Sequence, residues 1–127
     1  MPHLIIDYSA NLEDAIDMAG LCERLRVVAT GLEAFPAAGV RVRAHAARHY
    51  AIADGNSAHG FIDVSVRLRA GRDPEVKKAA TQALFDAAEA FIAPVMATRP
   101  IALSFEMRDI DPALSPKTGT IRDHLEG

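Results

Sequence analysis

Phe61-Ile62-Asp63-Val64-Ser65-Val66-Arg67-Leu68-Arg69-Ala70 runs straight into Gly71-Arg72-Asp73-Pro74-Glu75, and these two runs set the architecture of the chain. The first run alternates. Ile62, Val64, Val66 and Leu68 point one way and Asp63, Ser65, Arg67 and Arg69 the other, the period of a half-buried strand. The second run ends the strand and starts a helix. Asp73 suits the N-cap, Pro74 the first helical position, and Glu75 the positive end of the helix dipole. A strand passing directly into a helix, with a polar strand face left over, predicts an α+β chain.

Towards the C-terminus, Val76, Ala80, Ala83, Ala87 and Phe91, joined by Leu84 and Ile92, give a long helix its apolar face. Pro94 is expected to kink or end that helix. Past Pro100, Ile101 to Asp109 reads as a last strand with Ile101, Leu103, Phe105 and Met107 on one side. The remaining tail is polar, with a final turn expected around Ile121 to Leu125.

Towards the N-terminus, Asp54-Gly55-Asn56-Ser57 is a reversal signal. Before it, Val42, Ala44 and Ala46 oppose Arg41, Arg43 and His45 in another strand, preceded by the compact loop Phe35-Pro36-Ala37-Ala38-Gly39. Leu21, Leu25 and Val28 mark a helix stopped by Gly31, and His3 to Tyr8 alternates as a strand directly behind Met1-Pro2. The order is β-α-β twice over. Each crossover makes its two strands parallel and the connection right-handed. The expectation is a single domain over 1–127, with halves at about 1–58 and 59–110 and a tail at 111–127. It would form one four-stranded mixed sheet with both helices on one face.

The other face of that sheet would carry His3, Asp7, Arg41, Arg43, His45, Asp63, Ser65, Arg67, Ser104, Glu106 and Arg108, interrupted by Ile5. Composition alone leaves it either solvated or paired with another copy. Acidic residues (17) outnumber Lys plus Arg (14), which argues against a nucleic-acid partner. Apolar residues make up 50% of the chain, yet no run is long enough to span a bilayer and no secretion signal is read at the start. With a single cysteine, Cys22, the expected setting is a reducing one, the cytoplasm.

Chemistry narrows to few residues. Once Met1 is removed, Pro2 presents a secondary amine on a rigid mount, which can serve as a general base; with Met1 in place it is only a stiff end. Arg41 and Arg43 share a strand face after the Pro/Gly loop and can hold carboxylates through bidentate hydrogen bonds, or merely balance nearby acids. Arg72 sits at a helix start, where anions are favoured. His45 and His49 share a strand face in this reading, but no ligand-spaced set of Cys or His suggests a metal. Phosphate-loop and nucleophile-elbow motifs are not found either.

Together, Met1-Pro2-His3-Leu4-Ile5-Ile6, Phe35 to Arg43, Ala53-Asp54-Gly55, Gly71-Arg72 and Leu103-Ser104-Phe105-Glu106 resemble the 5-carboxymethyl-2-hydroxymuconate isomerase family, over essentially the whole chain. That family belongs to the tautomerase superfamily, whose members use an amino-terminal proline. The span from Phe61 to Asp109 is also similar to a single 4-oxalocrotonate tautomerase subunit. The resemblance implies the tautomerase fold and a homotrimer, with the mixed-charge face and the tail in subunit contact. It implies isomerisation of a dienol carrying several carboxylates to its conjugated 2-oxo form, in homoprotocatechuate breakdown, without cofactor or metal. Pro2 would shuttle the proton, Arg41 and Arg72 would bind and polarise the substrate, and Arg43 matches in position. Two other outcomes are a tautomerase acting on another 2-oxo acid or dienol, and a non-catalytic trimer if Met1 is retained.

Overall fold

The computed structural model of the protein describes residues 1–125. Its elements follow the expected order: β1 (His3–Ser9), α1 (Met18–Thr30), β2 (Arg41–Ala47), β3 (Gly60–Arg69), α2 (Pro74–Met96) and β4 (Ile101–Ile110). The four strands make one sheet in the order β2-β1-β3-β4. β1 pairs parallel with β2, β3 parallel with β4, and the seam between β1 and β3 is antiparallel. This is the mixed sheet that two crossovers require.

Both helices cover one face. Leu4 and Ile6 of β1 and Ile62, Val64, Val66 and Leu68 of β3 are wholly buried, beneath Leu21 and Leu25 of α1 and Leu84 and Ile92 of α2. Burying each such side chain stabilises the fold by about 1.5–3 kcal/mol, so the two central strands carry most of the cohesion. The edge strand β4 is only half buried even on its apolar side. The helices start where their caps allow: the Asp17 carboxylate accepts from the Gly20 N–H and the Asp73 carboxylate from the Glu75 N–H. α1 ends at Gly31.

Two expectations need correction, and of the two outcomes expected at Pro94 one is excluded. The buried stripe of α2 is Ala80, Leu84, Ala88 and Ile92, while Val76 is exposed and Ala83, Ala87 and Phe91 only flank it. Small alanines all round the helix hide its phase, and packing chose the face carrying the two large branched residues. Pro94 does not end α2, which continues to Met96. A proline ring crowds the carbonyl four residues earlier, here that of Ala90, and this residue is exposed, so water is open to that carbonyl. His49 lies beyond the end of β2 at Ala47, so it shares no strand face with His45.

The uncovered face holds the charges expected of it, and register arranges them in rows. One row crosses the sheet as Arg41, His3, Arg67 and Arg108. Another runs His45, Asp7, Asp63 and Ser104. The face is therefore basic at the end where β1 begins and acidic towards the other. Beyond β4, short 3-10 turns at Pro112–Leu114 and Ile121–His124 carry the tail back towards the start of β1, and the last two residues of the 111–127 tail lie outside the described residues.

Candidate active site

Pro2 is wholly buried at the entry to β1. Its carbonyl accepts from the Arg41 N–H at 3.3 Å, the first rung of the β1–β2 ladder. The Phe35 to Gly39 loop supplies the other wall. Its 3-10 turn, closed by Gly39 N–H to the Pro36 carbonyl at 2.9 Å, brings the bare Gly39 backbone against the pyrrolidine ring. A Cβ at Gly39 would stand 3.0 Å from Pro2 Cδ, the carbon bonded to the ring nitrogen. Gly39 is thus what lets the ring lie where it does. Sequence reading passed over it, because nothing in a run of small residues says which one touches the proline.

Outside Pro2, Met1 stands between two clefts and lines both. The first, about 220 Å³, lies between the Pro36–Gly39 loop and the tail at Ile121 and Arg122. The second, about 340 Å³, lies over the start of the sheet, bounded by His3, Arg67, Arg69 and the tail at Ser115 to Thr118. Arg41 and Lys117 border both. An Arg41 Nη2 contacts Met1 Sδ at 3.0 Å. None of Arg41, Arg67, Arg69 and Lys117 is ion-paired to a carboxylate among the described residues, although the chain carries a formal charge of -3.

This setting acts on the ionisable groups within it. The Met1 amine is held below the usual range for a chain terminus, first by burial and then by the positive charges of Lys117, Arg69 and Arg72. His3 is likewise held below the usual histidine value by burial, then by Arg67, Arg43 and Arg41. A neutral His3 matches its contact with Arg43, whose Nη1 lies 3.2 Å from His3 Nδ1. The guanidinium donates and Nδ1 accepts, which leaves the ring proton on Nε2.

Of the four residues singled out from sequence, Arg41 lines both clefts, and Pro2, buried behind Met1, is joined to it by the Arg41 N–H to Pro2 carbonyl bond. Arg43 lies one rung further along the sheet, on His3. Arg72 borders neither cleft: its Nε donates to the Ala34 carbonyl at 2.7 Å and its Nη1 to the Arg69 carbonyl at 2.8 Å. It ties the stretch before the Pro36 loop to the end of β3, and its charge still reaches the chain terminus. Arg67, Arg69, Lys117 and Arg122 were missed as site residues. Arg67 was placed correctly on the open face, but the return of the tail that builds the clefts leaves no pattern in the sequence. No three His, Cys, Asp or Glu side chains converge as metal ligands among the described residues.

The arrangement has a chemical consequence. With Met1 attached, the Pro2 nitrogen is a tertiary amide and no base. Removing Met1 would bare a secondary amine beneath the joined clefts, beside cations whose charge opposes its protonation.

Comparison with known proteins bears on the family and the fold. The family model described as 5-carboxymethyl-2-hydroxymuconate isomerase matches residues 2–125. The chain is 32% identical over 123 residues to a 5-carboxymethyl-2-hydroxymuconate Delta-isomerase of Escherichia coli, covering 95% of this chain and 96% of that protein. A crystal structure of a 5-carboxymethyl-2-hydroxymuconate delta-isomerase superposes with a TM-score of 0.91 at 32% identity, over 100% of this chain and 95% of the other. Another such isomerase, from Deinococcus radiodurans R1, gives a TM-score of 0.90 at 31% identity, over 97% and 92% of the two chains. A fused 4-OT symmetric trimer shares the fold alone, with a TM-score of 0.66 at 18% identity over 87% and 88% of the chains.

Proposed function

The chain belongs to the 5-carboxymethyl-2-hydroxymuconate isomerase family, and on that premise we propose that it converts the dienol 5-carboxymethyl-2-hydroxymuconate into its conjugated 2-oxo form. The observation that carries this reading is the buried Pro2 behind Met1, which lines two cation-bearing clefts together with Arg41, Lys117 and Thr118. After Met1 is removed, the neutral Pro2 amine takes the proton of the 2-hydroxyl and returns one to C5. The O–H bond breaks, a carbonyl forms at C2, the two double bonds become one between C3 and C4, and a C5–H bond forms. No electrons leave the substrate. Negative charge develops on the 2-oxygen during transfer, and Arg41 lies where it can neutralise that charge. A base whose pKa lies near the working pH contributes on the order of a hundred- to ten-thousand-fold to such a step. Arg72 and Arg43 complete the proposed carboxylate-binding set. Arg72 borders neither cleft of the single chain; with only its Nε and Nη1 engaged, its Nη2 would serve a site completed by a neighbouring subunit.

A homotrimer belongs to the same proposal. The open sheet face bears both signs of charge, and Leu114, Ile121 and Leu125 of the tail are more than half exposed in the single chain. Apolar side chains so placed gain from a neighbouring subunit. No helix among the described residues is long and apolar enough to cross a membrane, and Cys22 is a free thiol; we place the enzyme in the cytoplasm. The test pairs intact mass with a spectrophotometric assay of dienol loss. Protein whose mass lacks methionine should turn the substrate over, and Pro2→Ala should lose most of that rate. Full turnover by protein that retains Met1 would refute Pro2 as the base.

A further inference from the structure

The second cleft holds more positive charge than transfer of one proton needs. Arg67 and Arg69 from the end of β3 and Lys117 from the tail line it together, with Ser115 and Thr118. Like charges gathered in one cavity repel, and none of these three is paired to a carboxylate among the described residues. Three unpaired cations around one space are stable together when an anion occupies it, so the cavity is suited to a multiply charged ligand. The first cleft differs in its walls: Pro36, Ala38, Gly39 and Ile121 make them partly apolar, and of its cations Arg41 and Lys117 are shared with the second cleft while Arg122 is its own.

The proposed substrate has the same asymmetry. At one end a single carboxylate adjoins the 2-hydroxyl; at the other, C5 bears both the C6 carboxylate and the carboxymethyl group. We infer that Arg67, Arg69 and Lys117 form the subsite for the paired carboxylates on C5, and that they set selectivity for the tricarboxylate over the simpler dicarboxylate dienol. The inference rests on the proposed isomerase activity and deepens it. The orientation is consistent with the chemistry. Arg69 and Lys117 line the same cleft as Met1, so carboxylates held by them bring C5 towards the amine that removal of Met1 exposes. The 2-oxygen then extends towards Arg41, which borders both clefts.

The test compares kcat/KM for 5-carboxymethyl-2-hydroxymuconate and for 2-hydroxymuconate, using methionine-free protein. The ratio of the two should fall roughly ten- to a hundredfold in Arg67→Ala and in Lys117→Ala, the loss expected for removing one charged hydrogen-bond donor. Arg122→Ala, on the other cleft, should leave the ratio where it is. Equal losses on both substrates, or no loss, would overturn the subsite while leaving the isomerase intact. If the parent protein turns over neither substrate, the isomerase reading falls and binding decides the subsite. Calorimetric titration with propane-1,2,3-tricarboxylate and with glutarate should then show tighter binding of the tricarboxylate, lost in Arg67→Ala. Equal affinity for both would refute it.

Discussion

Gly39→Ala tests the packing that places the Pro2 ring. The new Cβ would lie 3.0 Å from Pro2 Cδ and 3.5 Å from Met1 Cα; once Met1 is removed, only the first contact persists. Carbon atoms in unstrained contact stand about 3.5–4.0 Å apart, so ring or loop must yield by roughly 0.5 Å. Neither moves freely. The ring is buried, its carbonyl is tied to the Arg41 N–H, and the loop is closed by the turn from Pro36 to Gly39. Overpacking of this kind costs about 1–3 kcal/mol, and the lower end is expected here because a loop is one of the two partners. Catalysis should suffer more than stability. A misplacement of about 1 Å costs on the order of a hundredfold in rate, so half of that predicts roughly a tenfold fall in kcat with KM nearly unchanged. The control is Gly119→Ala in the first cleft, where the nearest atom to the new Cβ is Met1 Cε at 3.8 Å, ordinary contact. Its kcat and Tm should match those of the parent. Steady-state kinetics and thermal unfolding on methionine-free proteins decide the matter. Wild-type kcat and Tm in Gly39→Ala would refute the idea that this glycine positions the amine.

Three further outcomes are expected. Tyr8, pushed up to about 12 first by its hydrogen bond to Glu13 and then by burial, contributes stability that is fully present below pH 10 and lost between about 10 and 12; Tyr8→Phe should abolish that alkaline loss, measured as Tm against pH, and a persisting loss would place its origin elsewhere. His3 has a lowered folded pKa, so the unfolded chain binds its proton first and stability falls as pH drops below about 6.5; His3→Gln should flatten that acid limb relative to the parent, and parallel limbs would dismiss His3 as a contributor. Gly60→Ala would bring a Cβ within 2.9 Å of a Leu12 methyl and within 3.1 Å of two more of its side-chain atoms; chemical denaturation should show a loss of about 1–3 kcal/mol, and Gly60→Ala paired with Leu12→Ala should lose less than the two separate changes combined.

The sheet was legible because its strands announce themselves. Strict alternation in Phe61 to Arg69 allows only one register against a buried layer, since a slip of one residue would bury Asp63 and Arg67. The cap Asp73 and the breaks at Gly31 and Pro100 come from local chemistry, which sequence carries; the Asp17 cap of α1 was not read from it. The face of α2 was less legible: alanine fits either side of a helix, so Ala83 and Ala80 looked alike until β3 and β4 selected one. Most of the site was least legible of all. Pro2 and Arg41 stand out by type, and Arg72 by its place at a helix start. The clefts, however, arise where the chain start, the Pro36 loop, the end of β3 and the tail converge. Contacts spanning such distances in sequence have no periodicity, so Gly39 and Lys117 show their role only in three dimensions.

The duplicated plan also bears on why one chain would hold one catalytic centre. Each β-α-β unit offers an equivalent place for a base, the start of its first strand. In the first unit that place is Pro2, and a chain end can become an amine. In the second it is Gly60, inside the chain, where the backbone nitrogen is an amide donating to the Pro100 carbonyl at 2.9 Å. No internal residue can offer a backbone amine, so the second unit cannot repeat the proposed chemistry. Its charged residues are then available to the first, and the seam delivers them. Because β1 and β3 run antiparallel, the end of β3 lies beside the beginning of β1, with Arg67 opposite His3. A parallel seam would carry Arg67 and Arg69 to the opposite edge of the sheet, away from Pro2. On the proposed mechanism, the antiparallel seam joins the proton-transferring group of one unit to the anion-binding groups of the other.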